Sequence, residues 1–381
     1  MKTPTILLAG IAALALTNIA QADTTIVLTG STAYRGPTHL AIQSILPAGF
    51  TFAYTGANFT GASQAIFTSG VSPNKLTIKT SWSGAVAGIQ TVAQGLNVNV
   101  LPDVTTPAAT VAGTPSVTPG TVAQVPDIAM TDNYQNAPGN PFKSPVLNVD
   151  NIVGVIPFKW IASNGAPAGL NNITPQLAHA LFGAGSVALS TFTGSSSDEG
   201  ISVFATGRDP DSGTRLIAFA ETSTSQPVFQ WQPTISGTAV TSHIPWPPIT
   251  INGIDIQEGD GGYSSGGTLA TTMTRTTLAG IGGYYVTYVG LTDANTAVTG
   301  GAKELTYNGV PYSLNGVLSG QYTFWGYEHL MYKSTLPAAK KTWAQSLVTR
   351  LLGTPALAGS IRLADMRCGR PSDGGDVTQN F

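Results

Sequence analysis

Short β-branched and apolar runs alternate along the chain with stretches whose apolar positions recur every three or four residues. Thr25 to Thr29 is a β-branched run that predicts a strand. A polar turn follows, then Pro37 to Leu46, where Pro37, Leu40, Ala41 and Ile45 fall at helical spacing. Leu76 to Thr80 alternates like a strand, and Gly84 to Ala93 places Val86, Ile89 and Val92 on one helical face. Ile152 to Phe158 is continuously apolar, the pattern of a buried parallel strand. Thr174 to Phe182 predicts a helix with Thr174 as N-cap and Pro175 in the first turn. Ile201 to Ala205 and Tyr284 to Val289 predict strands, and Gly213 to Glu221 a helix. Leu336, Ala339, Trp343, Leu347 and Leu351 stripe a long helix near the C-terminus. The alternation predicts an α/β architecture with mostly parallel sheets.

Two stretches break the rhythm. Pro102 to Gln124 is rich in Pro, Thr, Ala and Val with one charge, Asp103, and reads as an extended loop without a packed core of its own. Thr222 to Pro248 is loop- and strand-rich and ends in Pro245-Trp246-Pro247-Pro248. The first 22 residues stand apart. Lys2 supplies a positive start, Ile6 to Leu16 an apolar run too short for a span, and Ala20-Gln21-Ala22 a small-x-small cleavage pattern. We read residues 1–22 as a signal peptide, with the mature chain beginning near Asp23. No Cys lies near the cut, so a lipid-anchored start is not expected. No later segment has about 18 consecutive apolar residues, so no membrane span is expected in the mature chain.

Roughly 360 residues remain, enough for two domains. The 17 basic and 19 acidic residues leave a net charge of −2, which provides no basic field for nucleic acid or anionic lipid. Only 9% of residues are charged, against roughly 25% in ordinary globular chains. Gly, Ser, Thr and Ala fill the difference, which suits an exported periplasmic, extracellular or cell-surface protein. Cys368 is the single cysteine, so no intrachain disulfide forms, and no reactive motif surrounds it.

Three segments share one design, a strand end followed by a small hydroxyl-and-glycine turn and a helix start: Thr29-Gly30-Ser31-Thr32, Ser81-Trp82-Ser83-Gly84 and Asp211-Ser212-Gly213-Thr214. A helix N-terminus leaves backbone N–H groups unpaired and carries partial positive charge, and Ser and Thr hydroxyls can donate. One such start is an ordinary N-cap. Three converging at the C-terminal ends of strands would surround an anion with neutral donors. Arg208 would add the full positive charge in bidentate geometry; its bland alternative is a surface salt bridge with Asp209 or Asp211. Asp132 is unfavourable beside an anion unless the ligand carries a proton to donate. Hydrogen phosphate does and sulfate does not, so an acceptor-only carboxylate discriminates between them; otherwise Asp132 is a turn-forming residue.

The order of these motifs resembles the phosphate-binding proteins of bacterial ABC phosphate transporters, within the type II periplasmic-binding-protein fold. Leu28 to Thr32 is similar to the family's first phosphate loop, Trp82 to Ala85 to its second, and Ala129-Met130-Thr131-Asp132 to its Ala-x-Ser-Asp segment. Val153 to Trp160 and Thr174 to Gly183 resemble its hinge-following strand and the next helix. Arg208 to Thr214 resembles its Arg-x-Asp-Gly-Ser-Gly-Thr loop, and Gly259 to Gly267 and Gly282 to Tyr288 its late Gly-rich helix start and Gly-Tyr-Val-x-Tyr strand. The resemblance implies a two-lobed α/β fold with the ligand in the cleft, lobe I spanning 23–150 plus 319–381 and lobe II 151–318. It implies that Thr32, the backbone of Ala33, Ser83 (or Ser81, or Ser31 in the first loop), Arg208, Ser212, Gly213 and Thr214 donate to phosphate, with Asp132 accepting its proton. It implies an ABC permease as partner, no catalysis and no cofactor. The chain departs from the pattern at one point: Pro210 stands at the family's loop Asp and Asp211 at its Gly, so Asp209 or Asp211 replaces the usual partner of Arg208, or the site is altered.

Two other classes fit the sequence less well. A hydrolase acting on phosphate esters would need a catalytic constellation. His39, His179, His243 and His329 show no metal spacing, and there is no Walker A motif. Gly262-Tyr263-Ser264-Ser265-Gly266 matches the nucleophile-elbow pattern literally, but loop-like residues precede it where a strand is needed. Gly259 to Gly262 faintly suggests a calcium turn without its repeats. A structural or adhesive surface protein fits the Thr/Ser/Gly richness, but not the helical stripe from Leu336 to Leu351.

Overall fold

The computed structural model describes residues 22–56, 58–103, 108–109, 114–115, 120–251 and 253–379. Residues 1–21 of the expected leader, and 104–107, 110–113 and 116–119 of the Pro/Thr-rich segment, lie outside them. In chain order the elements that matter here begin with β1 (Thr24–Gly30), α1 (Arg35–Ile45), β2 (Thr51–Tyr54), β3 (Gln64–Ser69), β4 (Leu76–Ser81), α2 (Ala85–Gln94) and β5 (Ile128–Thr131). Then come β6 (Val149–Ala162), α3 (Pro175–Ala184), β7 (Ser186–Ala188), β8 (Ser202–Ala205) and α4 (Gly213–Glu221). The chain closes with α5 (Gly266–Met273), β9 (Gly283–Gly290), α6 (Leu291–Thr299), β10 (Lys303–Tyr307), β11 (Trp325–Tyr332) and α7 (Ala338–Leu352). The expected strands and helices are present, and Thr174 caps α3 through its side chain, accepting from the Leu177 N–H at 3.2 Å.

One mixed sheet runs through the molecule in the order β7-β8-β9-β6-β11-β5-β1-β4-β3-β2. Parallel pairs join β1 to β4 and β5, and β8 to β9. The expectation of mostly parallel sheets is corrected: β6 is antiparallel to β9, β10 and β11, β11 to β5, and β3 to both β2 and β4. The apolar run at Ile152 to Phe158 reports burial on both faces, and burial does not specify direction. The hairpin β2–β3 was not among the predicted elements.

The two halves of the sheet meet on β6. Val149 to Pro157 pair with β11, ending at Pro157 opposite Trp325, and Phe158 to Ala162 pair with β9, starting at Phe158 opposite Gly290. Aromatic rings pack around this change of partner. Trp160 stacks on Phe324 at 5.3 Å between ring centres and meets Tyr288 edge-on at 5.5 Å, while Phe182 meets Phe219 at 5.3 Å. Each ring withdrawn from water contributes roughly 2–3 kcal/mol, so the crossover is anchored from several elements. The C-terminal segment is anchored there too. Buried Arg370 lies 2.9 Å from Glu221 at the end of α4, donates to the carbonyls of Trp325 and Thr323, and sits 4.3 Å from the Trp325 ring centre. Among the described residues no helix is long and apolar enough to cross a membrane.

Candidate anion-binding site

Three loops converge beside the crossover, each turned off its strand by local chemistry. At the end of β1, Gly30 has φ +123°, and a Cβ there would lie 1.9 Å from the Met130 carbonyl oxygen. Only glycine fits, and the Ser31 N–H donates to that carbonyl at 2.8 Å. The loop then enters α1, with Ser31 Oγ accepting from the Tyr34 N–H at 3.2 Å. At the end of β4, Gly84 has φ +127° and its N–H donates to the Gly30 carbonyl at 2.9 Å, tying the second loop to the first. Buried His39 on α1 fixes the same loop. Its Nε2 accepts from the Trp82 indole at 2.9 Å, so Nδ1 carries the proton and donates to the Phe59 carbonyl at 3.0 Å. Burial pushes this imidazole down to about 4, so it stays neutral. The third loop leads into α4, capped by Ser212, whose Oγ accepts from the Arg215 N–H at 3.2 Å. It is bound to the second loop by the Val86 N–H donating to the Asp211 carbonyl at 3.0 Å.

Charged side chains sit among these loops. Arg208 is 2% exposed, so its alternative as a surface salt bridge is excluded by burial. Its Nε donates to the Tyr263 carbonyl at 2.9 Å, and Nη2 to the Ser264 carbonyl at 2.9 Å and to Thr32 Oγ1 at 3.4 Å. Nη1 makes no hydrogen bond among the described residues. Arg208 therefore keeps a donor edge free while its other edge is fixed by backbone. Asp132 is 1% exposed. Its Oδ2 accepts from Thr214 Oγ1 at 3.3 Å, its Oδ1 has no hydrogen-bond partner, and a Cβ on Gly213 would lie 1.8 Å from that Oδ1. The start of α4 can pack against Asp132 only because Gly213 lacks a side chain.

The structure thus brings Thr32, Asp132, Arg208, Ser212, Gly213 and Thr214 into one buried region, with Ala33 half-buried next to Thr32. Asp209 is buried there too, and Asp211 approaches through its backbone carbonyl. Ser83 is exposed at the turn of the second loop, and Ser81 ends β4, paired with Thr29 on one side and Gln64 on the other. Two charged residues escaped the sequence reading: Arg35 at the start of α1 and Asp293 in the first turn of α6. Asp293 lies in electrostatic reach of both Arg208 and Arg35. No local motif marks either residue; folding alone brings the two helix starts together.

The competing motifs have structural uses. The Gly262–Gly266 segment is loop leading into α5, touching Arg208 through an isolated bridge at Tyr263, with Ser265 capping the helix. It has no entering strand of the kind an elbow needs. Asp260, from the calcium-like turn, lies 2.5 Å from buried Arg215 and also accepts from the Val228 N–H at 2.8 Å. His329 lies inside β11, with Nδ1 2.8 Å from Asp150. No cluster of His, Cys, Asp and Glu suited to a metal occurs among the described residues.

Burial dominates the titration of this region. It pushes Asp132, Asp209 and Asp373 each up to about 6, against the pull of nearby cations, and raises Glu328 well above the ordinary carboxylate range. A carboxyl raised in the folded state contributes stability that is present below the unfolded value, near 3.8, and lost as pH rises through about 6. His39 acts oppositely, costing stability as pH falls from 6.5 toward 4. The carboxyls outnumber the imidazole. Ligand-free protein is therefore expected to be less stable at pH 7.5 than at pH 5, by on the order of 2 kcal/mol. Urea unfolding midpoints in phosphate-free buffer check this; a higher midpoint at pH 7.5 would contradict it.

No protein-family model matches the chain, and no curated protein is similar in sequence. Solved structures are similar in fold. A substrate-binding protein of a phosphate ABC transporter from Clostridium perfringens, with bound phosphate, aligns with TM-score 0.51 at 12% identity, over 89% of this chain and all of that one. An ABC-type phosphate transport receptor from Vibrio cholerae aligns with TM-score 0.46 at 11% identity, over 85% of this chain and 93% of its own. A phosphate-binding protein from Stenotrophomonas maltophilia aligns with TM-score 0.42 at 16% identity, over 88% and 86%. The first of these carries the fold assignment: a two-lobed α/β binding-protein fold.

Proposed function

We propose that this protein captures hydrogen phosphate, or a closely similar oxyanion, outside the cytoplasmic membrane and delivers it to an ABC permease without catalysing a reaction. In this reading lobe I comprises 23–150 and 319–381, lobe II comprises 151–318, and the anion binds where they meet. Thr32, the Ala33 backbone, Arg208, Ser212, Gly213 and Thr214 donate, and Asp132 accepts; Ser83, exposed at its turn, is left out of the shell. The observation that carries the reading is the buried Arg208 guanidinium, held by two backbone carbonyls with one edge unused, among three converging loops, two of them turned by glycine. A group so placed costs desolvation that an anion would repay. The phosphate held by the Clostridium perfringens protein of the same fold supports the same ligand.

Calorimetric titration of phosphate-stripped protein with phosphate and then sulfate at pH 7 tests the reading. Micromolar or tighter phosphate binding, about −8 kcal/mol or better, with weak sulfate binding, is expected. Binding of neither ion would refute it and favour a structural role at the cell surface. Asp132 gives a sharper check. At pH 7 its carboxyl, titrating near 6, is mostly ionised and accepts only. Asp132→Asn is expected to reduce the preference for phosphate over sulfate about tenfold or more, because an amide offers a donor in place of an unpaired repulsive contact. Unchanged selectivity would remove Asp132 from the ligand.

A further inference from the structure

A cavity of about 530 Å³ borders the anion region. Thr32, Ala33 and Gly267 belong to its wall, so it is continuous with the loops described above. It is not the gap of an open cleft, because the loops already touch: Val86 bonds Asp211, Thr214 bonds Asp132 and Arg208 bonds Thr32. Free phosphate, displacing only a few waters at roughly 30 Å³ each, would leave most of this volume to water. Pockets of this size ordinarily hold small organic molecules.

The wall chemistry narrows the occupant. Arg35 and Asp293 both face the cavity and make no ion pair within 4 Å among the described residues. Asn58 uses its Oδ1 on the Gly61 N–H at 2.7 Å, leaving its amide N–H groups to donate, and the Thr292 hydroxyl can do either. A second phosphate on the ligand would meet the Asp293 carboxylate. A hydrocarbon tail would bury Arg35 and Asp293 without partners. Hydroxyl groups suit the wall, donating to Asp293 and accepting from Arg35 and Asn58.

We propose that the protein's preferred ligand is a phosphomonoester of a small hydroxylated carbon skeleton, its phosphoryl group at Arg208 and its hydroxyls in the Arg35–Asp293 cavity. This rests on the oxyanion reading above and specifies its ligand. The test is calorimetric titration of phosphate-stripped protein with inorganic phosphate, methyl phosphate and glycerol 3-phosphate. Glycerol 3-phosphate is expected to bind at least about tenfold tighter than either of the others, the gain of one or two hydrogen bonds to charged groups. Ala358→Trp places a bulky ring at an exposed wall residue outside the three loops. It is expected to abolish the advantage of glycerol 3-phosphate while leaving phosphate affinity unchanged. If phosphate binds and glycerol 3-phosphate binds no tighter, the cavity proposal falls and the oxyanion reading stands. If none of the three binds, both fall.

Discussion

Arg208→Ala is expected to weaken phosphate binding by roughly 2–5 kcal/mol, about 30-fold to several thousand-fold. The substitution removes the fixed cation in the buried region and leaves the Tyr263 and Ser264 carbonyls without their donor. Part of the loss is therefore positional, because those bonds hold the loop before α5 in place. Arg208→Lys separates the two effects. It keeps a positive charge but loses the planar fork that meets two carbonyls and Thr32 together, so an intermediate loss is expected. Titration calorimetry, with thermal melts to show that each variant folds, decides the matter. Unchanged affinity in Arg208→Ala would remove the residue from the site.

The largest effect on stability is expected from Arg370→Ala. Its guanidinium pairs with Glu221, donates to two carbonyls at the start of β11, and covers the Trp325 ring. Burial raises the Glu221 carboxyl and Arg370 pulls it back, so removing the cation leaves a buried carboxylate whose remaining donors, the Thr323 and Tyr307 hydroxyls, supply no positive charge. Breaking such a pair from one side costs roughly 3–5 kcal/mol. Urea unfolding should show the midpoint falling accordingly. A shift under about 1 kcal/mol would mean that water reaches Glu221 and that the segment is held by the sheet alone.

The strands and helices were legible where their patterns were local. Thr174 and Ser212 announced their helices because capping depends on a side chain and the next turn of backbone. The two glycine turns were legible for the same reason: Gly30 and Gly84 sit at positive φ that other residues avoid. Strand direction was not legible. The apolar sequence of β6 is the same whether its neighbours run with it or against it, and here they run against it on both sides. The charged partners were hidden for a related reason. Asp209 and Asp211 drew attention by adjacency to Arg208, whereas Asp293 lies 85 residues downstream of it and reaches it only when α6 meets α5. Arg35 follows the first loop directly, yet as a lone basic residue at a helix start it carried no signal until the cavity gave it a setting.

The placement of β11 in the sheet sets the order in which the molecule can be completed. This strand lies between β6 and β5, yet it is made almost last, at 325–332. A chain emerging from its N-terminus would finish β9 and β10 against the later residues of β6, with β8 on β9 and β7 on β8, while β5 and the earlier part of β6 still had open edges. Those edges would wait for nearly two hundred residues of synthesis after β5, and unpaired strand edges template aggregation. A chain stopping before residue 325 would keep them open permanently. Truncated products would therefore be the adhesive species, and a holding chaperone would act most usefully on the unfinished β5–β6 side.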